Sequence, residues 1–480
     1  MARFGSVSPV LGRRRLLGQM GLVALGATVL AACAPAAPTP TPAPAKPAEK
    51  PAEKPAQQPV PTPTPAAQAA PAGAKQVAIS MWFHDQLYVK FWKNRADEFE
   101  KMNPSIKFTW DIIQIPYAQI MDKYIGAITA GQGAPDIIGV ENNHMPRLLK
   151  EDRVTQAMVN LRPLMQRDGI DEKKYKRLEL YSWKGGIYGL ESGLSHCVYY
   201  YRQDIFEKVG IQPPFGTYED FINAGKKLKQ AGHFLMPIDT SNGMSNWQVH
   251  ALQAGGQFFD ATGKVVINSE GNAKCLRLMK RLLDEGVARP FSTGFWGADL
   301  MAAYKDGSVA GIPMADWYSD YIIKENLKEQ SGKWRITYMP RYEPGGARTS
   351  AVGGTGHGIS KQSKNQDIVW ELLKYGYLTK ENQVKRYLEI HYFPNMVDAW
   401  DDPRIVNATD EFFGGQNVGK IFAELAPEVP VFYTSPWRPE AAQKFSTEAW
   451  VPVLTGKKSV EQGLKDAEDA LLKIIQAAGG

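Results

Sequence analysis

Apolar and polar positions first settle into a regular rhythm near residue 76. Val77, Ile79 and Met81 alternate with their neighbours at the period of a strand, which predicts one over 76–83. From about 87 to 102 the spacing lengthens, and Tyr88, Trp92, Ala96 and Phe99 share one side of a helix. Pro104 marks a turn, 106–115 reads as a second strand, 117–129 as a second helix, and G-Q-G-A-P-D-I-I-G-V-E at 131–141 runs into a third strand. Strands and helices that alternate over short connections predict an α/β fold with a mostly parallel sheet covered on both faces. Ligands of such sheets collect beyond the carboxyl ends of the strands, here 82–86 and 140–144.

The alternation fails at 187–206. Cys197, Val198, Tyr199, Tyr200 and Tyr201 follow one another, which predicts a strand covered on both sides, and the polar patch Glu191, Ser192, Ser195 and His196 precedes it. The run reads either as a passage between two lobes with the patch at the gap, or as a core strand with turn residues at its start. Farther on, Thr217 and Asp220 are spaced to cap a helix, a strand falls near 234–238, and Trp247 opens another helix. Cys275 shares the apolar face of a helix at 268–286 with Leu276, Met279, Leu282 and Leu283. The stretch 296–304 is amphipathic, 307–318 reads as a short strand ending on Trp317 and Tyr318, and 459–476 is a closing helix begun by Ser459 and Gln462.

The first 74 residues belong to no fold. Arg13, Arg14 and Arg15 precede an apolar run at 16–32 that ends L-A-A-C on Cys33, the pattern of an export leader with a twin-arginine-like start and a lipid-attachment cysteine. Residues 34–74 carry thirteen prolines and no aromatic residue. Such a segment cannot bury enough surface to order itself and reads as an extended tether from an anchored cysteine. Leader and tether carry most of the net charge of +6, which leaves the remainder near neutral and argues against a nucleic-acid partner. Residues 75–480 exceed the size of one core and predict two domains. Cys197 and Cys275 read as separate buried thiols.

No Walker loop, G-x-S-x-G elbow, H-E-x-x-H or paired C-x-x-C occurs, and seven histidines lack ligand spacing, so neither metal nor cofactor is expected. Asp85, Glu141, Glu191 and Asp316 leave a glycosidase open as an alternative. Tryptophan at strand ends and helix starts stands out: Trp82, Trp247, Trp296, Trp317 and Trp437, near amide and carboxylate side chains. Aromatic faces suit the C–H face of a sugar ring, and Asp, Asn, Gln, Glu and His suit its hydroxyls.

G-A-P-D-I-I, L-E-S-G-L-S-H-C-V-Y-Y-Y-R-Q-D-I-F, A-G-G-Q-F-F-D-A-T-G-K, G-S-V-A-G-I-P-M-A-D-W-Y and G-G-T-G-H-G-I-S-K together resemble the bacterial extracellular solute-binding proteins of ABC importers, in the maltose-binding branch. The resemblance spans about 77–475. It implies a periplasmic-binding-protein fold of type II, two α/β lobes joined by a hinge, with 77–189 plus 312–355 in the first lobe and 190–311 plus 356–478 in the second. It implies a monomeric, non-enzymatic receptor, lipid-anchored outside the cytoplasm through Cys33, that passes a sugar or short oligosaccharide to a membrane permease. The ligand residues it implies are Trp82, His84, Asp85, Gln86, Glu141, Asn142, Asn143, Trp247, Trp317 and Trp437, and the reading of the polar patch and the aromatic strand ends adds Glu191, Ser192, Trp296, Asp316, Tyr318 and Gly354 to the expected site. A non-sugar solute such as a glycerol phosphate is the other expectation, with Arg147 and Arg348 as its cationic contacts.

Overall fold

The computed structural model describes residues 75–479; the leader, Cys33 and the tether lie outside them. The alternation at 77–81 becomes the strand Lys75–Phe83, whose Val77, Ile79, Met81 and Phe83 share a core with Tyr88, Phe91 and Trp92 of the helix Gln86–Met102. Asp85 begins that helix by accepting the Leu87 N–H at 2.8 Å, the capping role that short acidic side chains favour. Ile106–Gln114 and Ile137–Glu141 flank the first strand in parallel. Thr355–Ile359 then runs antiparallel along Ile137–Glu141, and Leu190–Glu191 closes the edge.

The tyrosine-rich run forms Cys197–Arg202, buried along its whole length and flanked antiparallel by Gly311–Ala315 and Trp334–Thr337. The Tyr199 hydroxyl donates to the Leu235 carbonyl at 2.8 Å and the Tyr200 hydroxyl to the Ala315 carbonyl at 2.9 Å, so its phenols satisfy backbone acceptors on two sides. Gly311 is required beside it, because a Cβ there would lie 2.4 Å from the Tyr199 hydroxyl. A parallel pair, Met236–Asp239 with Ala288–Phe291, completes the second lobe's strands and is bridged to the rest through Phe234 and Val309. Thr217 and Asp220 form the expected capping box on Tyr218–Gln230. Cys197 and Cys275 are both buried and free.

Two crossings between the lobes lie side by side. His196 bridges Ala351, the Cys197 N–H donates to Ser350, and the Val352 N–H donates to Ser195, each backbone bond at 3.0 Å. The expected division of the chain differs here. Gly311–Ala315 and Trp334–Thr337 complete the second lobe's sheet, whereas Thr355–Ile359 lies in the first, and the helices Gln366–Leu378 and Lys380–Ile390 pack on Gln86–Met102. The helices Arg438–Lys444 and Val460–Ala477 return to the second lobe, where Val460–Ala477 packs on Glu270–Asp284. The physical reason is strand pairing: the fully buried Cys197–Arg202 needs a neighbour on each edge, and Ile137–Glu141 has an edge that only a later strand fills.

Candidate ligand site between the lobes

The sheet ends, the crossings and several elements of the second lobe enclose a cavity of about 680 Å³. Its apolar walls are indoles. Trp296 and Trp317 stack with centroids 6.1 Å apart and planes 14° from parallel, and the Trp317 N–H donates to the Val352 carbonyl of the second crossing at 2.8 Å. Trp247, on the helix Met244–Gln253, stacks on Phe258 at 3.8 Å and donates its N–H to Asn272 at 2.8 Å. Tyr88, Tyr117, Tyr321 and Tyr392 add phenols to the lining.

Carboxylates supply the polar side. Asp85 accepts the Tyr392 hydroxyl as well as its own helix N–H. Glu141 accepts the Asn143 N–H at 2.6 Å and the Tyr117 hydroxyl at 3.1 Å. Asp316 accepts the backbone N–H groups of Trp317 at 2.7 Å and of Phe393 at 3.3 Å. Burial pushes Glu141 and Asp316 up to about 7 each and raises Asp85, against the opposing pull of Arg438 on Glu141 and of backbone N–H donors on Asp316. Burial also lowers His84 to about 3, leaving it neutral. Arg438 is the one cationic side chain in the lining among the described residues, and burial lowers it to about 10.

Of the residues expected at the site, His84, Asp85, Glu141, Asn143, Ser192, Trp247, Trp296, Asp316, Trp317 and Gly354 line the cavity. Six others do not. Trp82 points to the opposite face of its strand from Phe83, packing with Ile138 and Val140 under the Lys123 ammonium at 4.2 Å. Gln86 is exposed on the first helical turn. Asn142 is buried behind the wall and donates to the Gly353 carbonyl. Glu191 is fully buried, accepting the Ser192 N–H at 2.8 Å and the Thr355 N–H at 3.1 Å and facing Arg177 at 3.5 Å. Gly354 has φ of +118°, and a Cβ there would sit 2.5 Å from that carboxylate, so the crossing needs glycine. Tyr318 is buried against Tyr304 and Trp296, and Trp437 lies beneath Lys150 at 5.1 Å, outside the lining. Cys33 lies outside the described residues. Arg147 pairs with Asp122 and Arg348 with Glu428, both away from the cavity lining. The phenols and Arg438 carry no local motif; only the chain's long-range pairing brings them here.

Among the described residues no group of three or more His, Cys, Asp or Glu is placed to hold a metal, and no helix is long and apolar enough to cross a membrane. Residues 94–412 match the protein family described as bacterial extracellular solute-binding protein. The arabinooligosaccharide-binding protein of Bacillus subtilis (strain 168) is 26% identical over 374 residues, 77% of this chain and 85% of that one. The lactose-binding protein of Rhizobium radiobacter is 26% identical over 418 residues, 84% and 92% of the two chains. The galacto-N-biose-/lacto-N-biose I-binding protein of the ABC transporter from Bifidobacterium longum, solved with lacto-N-biose, superposes with a TM-score of 0.67 at 20% identity, over 85% of this chain and 98% of its own.

Proposed function

The chain belongs to the bacterial extracellular solute-binding protein family, and from that premise we propose that it captures a neutral oligosaccharide in the interlobe cavity and delivers it to the membrane permease of an ABC importer. The observation that carries the reading is the combination of flat indole walls with carboxylate acceptors: the stacked Trp296 and Trp317 beside Asp316, with Asp85 and Glu141 in the same lining. Indoles cover the C–H face of a sugar at small entropic cost, and carboxylates accept its hydroxyls. The cavity volume suits a ligand larger than one sugar ring. An anionic solute would meet three carboxylates and a single arginine already engaged with Asn142 and Gln248. The named sugars of the relatives point the same way. The glycosidase alternative falls with family membership, since the family binds solutes.

Thermal-shift screening tests the reading, because a ligand bound only by the folded state raises the melting temperature by mass action. Neutral arabino-, galacto- or malto-oligosaccharides are expected to stabilise the protein, and uronate oligomers and glycerol phosphates are not. Stabilisation by a glycerol phosphate with none by any sugar would overturn it. Trp317→Ala is expected to weaken binding of the sugar so identified by ~2 kcal/mol or more, the scale of an interface hot spot. Calorimetry on the folded variant checks this, and affinity equal to the parent's would remove Trp317 from the site.

Family membership puts the receptor outside the cytoplasm. Attachment through an acylated Cys33 is supported by L-A-A-C before a proline-rich tether. Cys33→Ser is therefore expected to move the protein from the membrane fraction to the soluble one; an unchanged distribution in fractionated cells counts against the anchor.

A further inference from the structure

Arg438 is almost fully buried, opens the helix Arg438–Lys444 of the second lobe, and reaches across to the first. Its Nη1 donates to the Asn142 carbonyl at 3.2 Å and to the Asn142 Oδ1 at 3.0 Å, just beyond the strand Ile137–Glu141. Asn142 in turn donates its side-chain amide to the Gly353 carbonyl of the second crossing. The Arg438 Nη2 donates to the Gln248 Oε1 at 3.4 Å, on the helix that carries Trp247. One side chain thus joins the end of a first-lobe strand, a crossing and a second-lobe helix, and Phe432 packs on its guanidinium at 4.5 Å.

The direction of these bonds matters. A guanidinium only donates, so the Gln248 amide must turn its oxygen toward Arg438. Its Nε2 is then buried without a protein partner, on a residue that lines the cavity. A buried donor left open is costly unless something accepts from it, and a sugar oxygen in the cavity is such an acceptor. Asn142 also stands between Glu141 and Asn143, both lining residues, so fixing its backbone carbonyl fixes them.

We infer that Arg438 is a positioning residue that clasps the two lobes across the cavity, holding Asn142 in place and presenting the Gln248 amide N–H to a ligand oxygen. The ligand half of this rests on the oligosaccharide reading; the clasp does not. The neighbouring Lys150–Glu440 pair, at 2.6 Å, ties the same helix to the end of Met145–Leu149 in the first lobe, but it is partly exposed and contributes little by itself.

The test uses Arg438→Met, Arg438→Lys, Asn142→Ala and the Arg438→Met/Asn142→Ala double variant of the full chain. Spin labels on the exposed Lys101 and Lys227, one per lobe, report the interlobe distance without ligand. Arg438→Met is expected to lengthen and broaden that distance, Arg438→Lys to restore part of it, and the double variant to add little to Arg438→Met, since both remove one contact. For a bound oligosaccharide, Arg438→Met is expected to lose affinity at least tenfold. A parent-like distance distribution in Arg438→Met would overturn the clasp. Unchanged sugar affinity in that variant would overturn the presentation of Gln248. If no sugar in the panel binds the parent, the oligosaccharide reading fails, while the ligand-free distances still decide the clasp.

Discussion

Trp247→Ala is expected to destabilise the protein by about 3–5 kcal/mol, the cost of emptying a large aromatic site in a close-packed core. Trp247 is 1% exposed, is stacked on Phe258, has Phe432 and Phe445 nearby, and donates to Asn272, whose oxygen would lose that donor. Only part of the indole faces the cavity. Sequence pattern grouped it with the ligand tryptophans, and it proves to be a core residue that also forms a wall. Denaturant titration of the ligand-free variant checks the loss. Trp247→Phe separates the two contributions, since it retains most of the ring contact and removes the N–H. A stability change under 1 kcal/mol for Trp247→Ala would contradict the packing described.

The second large effect depends on pH. Burial raises Asp316 from 3.8 to about 7 in the folded protein. Between those values the unfolded chain has released the proton that the native chain retains, so Asp316's contribution to stability is full below pH 3.8 and is lost as pH rises to 7. Asp316→Asn has no such loss. The stability of the variant relative to the parent should therefore rise by about 2.5 kcal/mol between pH 5 and pH 7.5, at ~1.4 kcal/mol per pKa unit. The hydrogen bond that an amide cannot accept from one of the Trp317 and Phe393 N–H groups adds an offset that does not vary with pH. The comparison must be variant against parent, because buried His196, His250 and His357 are held neutral and stabilise the fold in the opposite direction, most at high pH. Urea titrations at pH 5, 6 and 7.5 measure the difference. A difference that stays flat would show Asp316 ionised throughout.

Local pattern carried much of this architecture. The periods at 77–81 and 88–99, the Thr217–Asp220 box and the continuously apolar 197–201 each follow from interactions within a few residues, and each is observed. Partner choice is different in kind. Nothing near Gly311–Ala315 marks it as a neighbour of Cys197–Arg202, and the division implied by the family resemblance, with 312–355 in the first lobe, differs from the observed pairing. The site was legible to the same degree. His84, Asp85 and Glu141 stand at strand ends and were found, whereas Trp82, one residue earlier, faces the other side of its sheet. Glu191 looked like an open polar residue because its partner Arg177 and the Thr355 N–H arrive from elsewhere in the chain. Arg438 and Tyr392 come from the last quarter of the chain, where no motif announces them.

The placement of Thr355–Ile359 beside Ile137–Glu141 bears on how the chain is made. A ribosome delivers the amino-terminal strands first, yet the strand that covers the open edge of Ile137–Glu141 emerges only after the entire central sheet of the other lobe. Until then a run of fully apolar-packed backbone presents unpaired N–H and C=O groups, the kind of edge that recruits wrong partners. The sheet of the first lobe therefore cannot be complete before residues 355–359 have been made. It closes through contacts of long sequence separation, the kind that are slow to form.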